Sequence, residues 1–163
     1  MELEFTNGSD PRFAAMCLEL DAYLNDMAGG ETQRKHYVQY NTPSAVTDVG
    51  LLLEDGQAIA CAGFKHFNES TAEIKRVYTH PRFRGKGCAR TLMTALEERA
   101  ARRGYARLVL ETGRMMEPAI RFYTGIGFQQ TENYGQYRDL PESVCMEKHL
   151  VGQPAVCSPG QEE

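Results

Sequence analysis

The sequence predicts an α+β fold, a mixed α/β layout in which one twisted, mostly antiparallel sheet is flanked by helices. Three observations carry that expectation. Apolar residues recur at helical spacing in two long stretches, short apolar runs of strand length lie between and beyond them, and Asp55-Gly56 joins two such runs as a tight hairpin turn. At 163 residues, with 42% hydrophobic and 25% charged, the chain has the length and balance of one globular domain, expected to occupy residues 1–150.

Leu3 to Thr6 reads as a first short strand. Asp10-Pro11 then opens a helix, because Asp caps the free amides of a helix start and Pro suits the first helical position. Phe13, Met16, Cys17, Leu20 and Leu24 form one apolar stripe on that helix, which should end near Gly29-Gly30 and pack on the sheet. Glu31 to Thr47 is polar, with scattered His36, Tyr37 and Tyr40 and no clean period, and is expected to be a partly helical loop beside a site.

Val49–Leu53 and Ala58–Phe67 are two strands joined by Glu54-Asp55-Gly56, and Thr71–Thr79 continues the meander as a third. Ala89, Leu92, Met93, Leu96 and Ala100 give the next helical stripe, closed by Arg102-Arg103-Gly104. Leu108-Val109-Leu110 is the continuous apolar run of a buried central strand. A helix from Pro118 to about Thr124, a strand entered through Gly127-Phe128 and a last strand from Ser143 to His149 complete the order. Beyond Leu150, the Gly, Pro, Ser and Glu-rich residues 151–163 are expected to be a disordered tail.

A net charge of -4 argues against a general nucleic-acid binder, which needs a basic footprint on phosphates. No apolar run approaches the roughly 20 residues of a membrane span, and Met1-Glu2-Leu3-Glu4-Phe5 lacks the features of a signal peptide, so a cytoplasmic protein is expected. Cys17, Cys61, Cys88, Cys145 and Cys157 are odd in number and include no CxxC pair. They read as reduced packing thiols, and no metal is expected.

The most informative stretch is Arg76-Val77-Tyr78-Thr79-His80-Pro81-Arg82-Phe83-Arg84-Gly85-Lys86-Gly87-Cys88-Ala89, a strand passing through a Gly-rich loop into a helix. Gly85 and Gly87 let backbone approach a ligand closely, and a helix N-terminus offers unpaired amides and a positive dipole end to an anion. Arg84, Lys86 and Arg90 add local positive charge. By spacing alone, the same residues equally describe a turn with a solvated basic edge. A Walker loop is excluded, because no Gly lies at the required offset before Gly85-Lys86 and no Ser or Thr follows. A dinucleotide fingerprint fails at Arg90, where a small residue is needed.

Arg84-Gly85-Lys86-Gly87-Cys88-Ala89 resembles the coenzyme A loop of the GNAT family of N-acetyltransferases: Arg or Gln, two residues, Gly, one residue, then Gly or Ala. Ala119-Ile120-Arg121-Phe122-Tyr123-Thr124-Gly125-Ile126-Gly127-Phe128 is similar to the same family's second landmark, Ala-Ile-x-x-Tyr-x-x-x-Gly-Phe. The resemblance covers roughly residues 50 to 150. It implies the acyl-CoA N-acyltransferase fold and acetyl-CoA as co-substrate. In the family, the strand before the loop carries a bulge and splays from its neighbour. By position, Val77, Tyr78 and Thr79 would bond the pantetheine, and Arg84, Gly85, Lys86, Gly87, Cys88, Ala89 and Arg90 the pyrophosphate. Tyr123 would protonate the departing thiolate. Met116 stands where many relatives carry an Asn or Gln that bonds the pantetheine.

An alkyl ammonium with a pKa near 10 must lose a proton before it attacks a thioester, so a base is needed. Glu73 is the first candidate, four residues before Val77 and thus on the same strand face. It stands where some relatives carry their base glutamate, although a surface glutamate paired with Lys75 would look the same. Glu111 is the second candidate. Tyr37, Tyr40, Arg76, Arg114, Tyr134 and Tyr137 lie on segments that could line the acceptor side, with Tyr134-Gly135-Gln136-Tyr137 closing over it. An Arg facing the cleft would favour an acceptor bearing a carboxylate, such as an amino acid. The expected activity is direct acetyl transfer to the primary amine of a small molecule in a ternary complex, with a non-catalytic acyl-CoA sensing domain as the alternative. Pairing of exposed strand edges would allow a homodimer.

Overall fold

The structure is a computed structural model and describes residues 1–27 and 42–150. Tyr37, Tyr40, the expected helix end at Gly29-Gly30 and the expected tail beyond Leu150 lie outside the described residues. Among the described residues, seven strands follow the order β1-β2-β3-β4-β5-β7-β6. They are β1 (Glu2–Thr6), β2 (Asp48–Glu54), β3 (Gln57–Asn68), β4 (Thr71–Thr79), β5 (Arg107–Gly113), β6 (Gln129–Thr131) and β7 (Ser143–His149). The helices are α1 (Pro11–Met27), α2 (Cys88–Arg102) and α3 (Glu117–Gly125). Among the described residues, no helix is long and apolar enough to cross a membrane.

Among the described residues, the chain divides into two compact units, one of residues 1–27, 42–65 and 75–96 and the other of residues 66–74 and 97–150. In the first unit, β1 and β3 both pair antiparallel with β2, and the predicted hairpin turn is present with Asp55 at φ 51° and Gly56 at φ 81°. Asp10 starts α1 as expected: its Oδ1 accepts from Arg12 N at 2.8 Å, and the Arg12 guanidinium holds its carboxyl well below the usual carboxylate range. The predicted stripe turns inward. Phe13, Met16, Cys17 and Leu20 are buried against Val46, Val49, Leu51, Leu53, Cys61 and Tyr78, while Leu24 packs at the edge of that core. Burying a side chain such as Phe13, at 0% exposure, contributes about 1.5–3 kcal/mol.

In the second unit, β4 pairs parallel with β5, from Thr71 opposite Arg107 to Glu73 opposite Val109, where the register ends. The antiparallel β7 joins β5 along all seven of its residues and carries the three-residue β6 on its other side. Leu108, Val109 and Leu110 are buried, as their apolar run predicted. Gly104 at φ 93° closes α2, with Tyr105 N donating to Ala100 O at 3.0 Å.

Candidate active site

In the first unit, β4 ends at Thr79, a short 3-10 turn spans Pro81–Phe83, and α2 begins at Cys88. His80 organises the turn by accepting from Arg82 N on Nδ1 at 3.1 Å. Gly85 and Gly87 adopt φ 79° and 80°, the left-handed region that side chains with a Cβ disfavour. Nothing lies within 4 Å of where a Cβ would stand on either residue, so no neighbour demands glycine there. The backbone conformation does. Thr91 N donates to Gly87 O at 3.0 Å as the first bond of α2, so the amides of Cys88, Ala89 and Arg90 precede the helical ladder. Gly85, Lys86, Gly87 and Arg90 are exposed; Cys88 is buried as a packing residue, its thiol pushed up by that burial.

Arg84 is fixed from two sides. Its Nε donates to Thr79 O at 3.0 Å, and its guanidinium lies 4.7 Å from the Tyr23 ring centre and 5.7 Å from that of Tyr78. Lys86 Nζ stands 5.6 Å over the Phe83 ring. Both cations therefore rest on aromatic faces beside the loop, next to the amides that precede the α2 ladder. Val77 and Thr79 are half-buried; Tyr78 is buried, with its hydroxyl donating to Glu19 Oε1 at 3.3 Å.

Arg76 departs from two expectations. It is a non-glycine residue at φ 61°, so the strand's side-chain alternation does not run unbroken from Glu73 to Val77 and cannot place them on one face. Its side chain is 3% exposed, with one terminal nitrogen donating to Cys17 O at 2.8 Å and to Asp21 Oδ1 at 3.0 Å. The guanidinium is thus committed to α1, holding an irregular strand against a helix, rather than open to an acceptor.

In the second unit, α3 starts at Glu117 after the Met116 N-cap and presents Tyr123 inward at 8% exposure. The Tyr123 ring packs edge-on against Phe122 and Phe128, at 5.3 and 5.8 Å. Its hydroxyl has no hydrogen-bond partner among the described residues, and burial pushes it above the ordinary phenol range. A phenol so placed is protonated at neutral pH and free to donate.

Glu73 is 1% exposed, which rules out the surface strand glutamate. Its Oε2 accepts from the Tyr134 hydroxyl at 2.7 Å, a bond made inside the unit. Tyr134 packs edge-on against Phe67 at 5.1 Å and Tyr137 at 5.5 Å, and Tyr137 is 2% exposed. The two tyrosines were expected to line the acceptor side in a closing loop. The structure turns their rings inward, because burying two aromatic faces outweighs exposing them. Burial, and then the Glu73 charge, raises both phenols, with Glu111 adding to Tyr137. Cys145 is pushed up to about 11 by burial.

Glu111, at the end of β5, accepts from Ser143 Oγ at 2.7 Å. The turn between β6 and β7 is tied by Asn133, whose Nδ2 shares its protons among the carbonyls of Tyr137, Leu140 and Ser143, each at 3.1 Å. Arg114 is exposed just past β5, its Nε donating to Pro141 O at 3.0 Å. Sequence reasoning missed Ser143 and Asn133. Neither stands in a motif, and their partners are set by strand pairing.

The model of the acetyltransferase (GNAT) family matches residues 17–128. An uncharacterized N-acetyltransferase of Bacillus subtilis, YsnE, is 37% identical over 99 residues, 60% of this chain and 66% of that protein, so the match spans just under two thirds of this relative. An IAA acetyltransferase of Azospirillum brasilense is 32% identical over 135 residues, 81% of this chain and 86% of the relative. Among solved structures, one described as an acyl-CoA N-acyltransferase of Klebsiella pneumoniae aligns at a TM-score of 0.75 with 30% identity, covering 92% of this chain and 97% of that one. The PaiA N-acetyltransferase of Thermoplasma acidophilum, solved with coenzyme A, shares the fold at a TM-score of 0.69 and 18% identity over 91% of this chain and 99% of that one.

Proposed function

As this chain belongs to the acetyltransferase (GNAT) family, and so to the acetyl-CoA-dependent acyltransferases, we propose that it acetylates the primary amine of a small molecule by direct transfer in a ternary complex. The observation that carries this is the Arg84–Arg90 loop: two glycines held at positive φ without steric need, beside a pinned Arg84 and the open end of α2. Glycines in this conformation let backbone amides approach a ligand closely. The pyrophosphate of acetyl-CoA is assigned to these amides and to Lys86, and the pantetheine to the backbone of Val77, Tyr78 and Thr79.

In this reading, Glu73 accepts the ammonium proton and the freed amine attacks the acetyl carbonyl; the collapsing intermediate expels the thiolate, which Tyr123 protonates, and the second proton of the attacking nitrogen restores the Tyr123 phenol. The raised phenol suits a donor, since it stays protonated at working pH. No acyl-enzyme is needed. The thiols of Cys17, Cys61, Cys88 and Cys145 are buried and raised, the opposite of an activated nucleophile. Arg114, exposed beyond Glu111 on the same strand end, is the remaining candidate for a carboxylate on the acceptor, because Arg76 is committed to α1. That makes an amino acid or similar metabolite the acceptor class.

The test is titration of acetyl-CoA into the protein together with coenzyme A release over amino acids, their decarboxylated amines, polyamines, aminoglycosides and peptides. Release with amino acids above their decarboxylated amines is expected. Equal rates for the two overturn the carboxylate assignment, and binding without release for any amine favours the sensing domain.

A further inference from the structure

Glu73 is a carboxylate taken almost wholly out of water, and a charge so placed is costly unless hydrogen bonds hold it. The described residues give it one such bond, from Tyr134, whose hydroxyl lies 2.7 Å from Oε2; Oε1 has no hydrogen-bond partner among them. The two residues are 61 positions apart. Glu73 is the last residue of β4 paired with β5, and Tyr134 leads the short 3-10 turn Gly135–Tyr137 after β6. Phe67 and Tyr137 clamp the Tyr134 ring edge-on from two sides, and Asn133 ties the backbone of the same turn to the start of β7. A phenol held this way has little freedom to leave its carboxylate.

Resting on the reading of Glu73 as the base, we propose that Tyr134 is a positioning residue for acetyl transfer: its hydroxyl holds Glu73 Oε2 and leaves Oε1 as the atom that receives the ammonium proton. The balance of the step is simple. The N–H bond of the ammonium breaks, an O–H bond forms at Oε1, the nitrogen keeps its electron pair for the acetyl carbon, and Tyr134 keeps its own proton throughout. Tyr137, Cys145 and Glu111 lie near this carboxylate and phenol, and the charge of Glu111 or Glu73 raises the Tyr137 and Cys145 groups further after burial. A bystander tyrosine in a packed turn would need only its ring. The hydroxyl is what the inference concerns.

The experiment is a double-mutant cycle of Tyr134→Phe and Glu73→Gln. It is read by coenzyme A release with the best amine of the panel, or by background hydrolysis of acetyl-CoA, where the same carboxylate deprotonates water. Acetyl-CoA affinity and Tm are measured beside it. Tyr134→Phe alone is expected to lower kcat about tenfold or more with acetyl-CoA affinity unchanged, and to have no further effect once Glu73 is Gln. Phe67→Leu, which loosens the ring but keeps the hydroxyl, is expected to lower kcat by less than Tyr134→Phe does, and only where Glu73 is present. An equal loss from Tyr134→Phe in both backgrounds overturns the positioning role and leaves Glu73 standing. Full activity of Glu73→Gln overturns the base assignment, and this inference with it. If Tyr134→Phe does not fold, 3-fluorotyrosine at position 134 keeps the bond and changes only the donor's acidity; a kcat indifferent to the fluorine counts against the proposal.

Discussion

The Arg84–Arg90 loop and the Glu73 cluster solve opposite problems. The loop is exposed and works through backbone: its glycines stand in open space at φ 79° and 80°, and its cations rest on aromatic faces. The cluster is buried and works through side chains: a carboxylate at 1% exposure, a phenol at 2.7 Å and a wall of tyrosines. In the proposed reading the loop offers backbone amides and positive charge to a large anion, whereas the proton affinity of a base is set by what surrounds it. Changes in the loop should therefore move affinity, and changes in the cluster should move turnover.

The largest expected effect is at Glu73. Replacing it with Gln removes the proposed proton acceptor at nearly constant shape and is expected to lower kcat about a thousandfold with acetyl-CoA affinity retained, measured by single-turnover release and titration. Tyr123→Phe comes next, with kcat down about a hundredfold and affinity again unchanged. Because burial raises the Tyr123 phenol, its acid form persists as pH rises, and the wild-type rate should show no alkaline loss from this group below about pH 10. A loss of affinity in either variant would break the division between the two regions.

Smaller effects are expected in the loop, and of the other kind. Gly87→Val places a β-branched residue at positive φ, costing about 1–2 kcal/mol of local strain without a clash, and should weaken acetyl-CoA binding about tenfold with kcat at saturation preserved. Arg84→Ala removes the bond to Thr79 O and the ring contacts, and should cost affinity about threefold to tenfold, an effect that shrinks as salt is raised.

The same contrast governs what could be seen in the sequence. The conformation of the loop was legible because Gly85 and Gly87 are the residues a chain places at positive φ, and β4 runs from Thr71 to Thr79 as expected. The α1 stripe was legible because a 3.6-residue period writes burial directly into the chain. The cluster was not. Glu73 and Tyr134 meet only through sheet pairing and the turn after β6, so a glutamate on a strand looked equally like a surface residue, and two tyrosines looked like a lid. Arg76 was hidden for another reason: arginine gives no local sign of positive φ, and its partners Cys17 and Asp21 lie on a helix more than 50 positions away. Tyr37 falls outside the described residues, and its role rests on the sequence alone.

The central claim is that the Gly85–Gly87 backbone is the coenzyme site of an acetyltransferase. Calorimetric titration of acetyl-CoA into the wild-type protein and into Gly87→Val, with circular dichroism of both, tests it most directly. The account predicts a single site with a dissociation constant on the order of micromolar to submillimolar in the wild type, weakened about tenfold in the variant at unchanged secondary structure. Equal affinity in the two proteins, or no binding to the wild type, would contradict it.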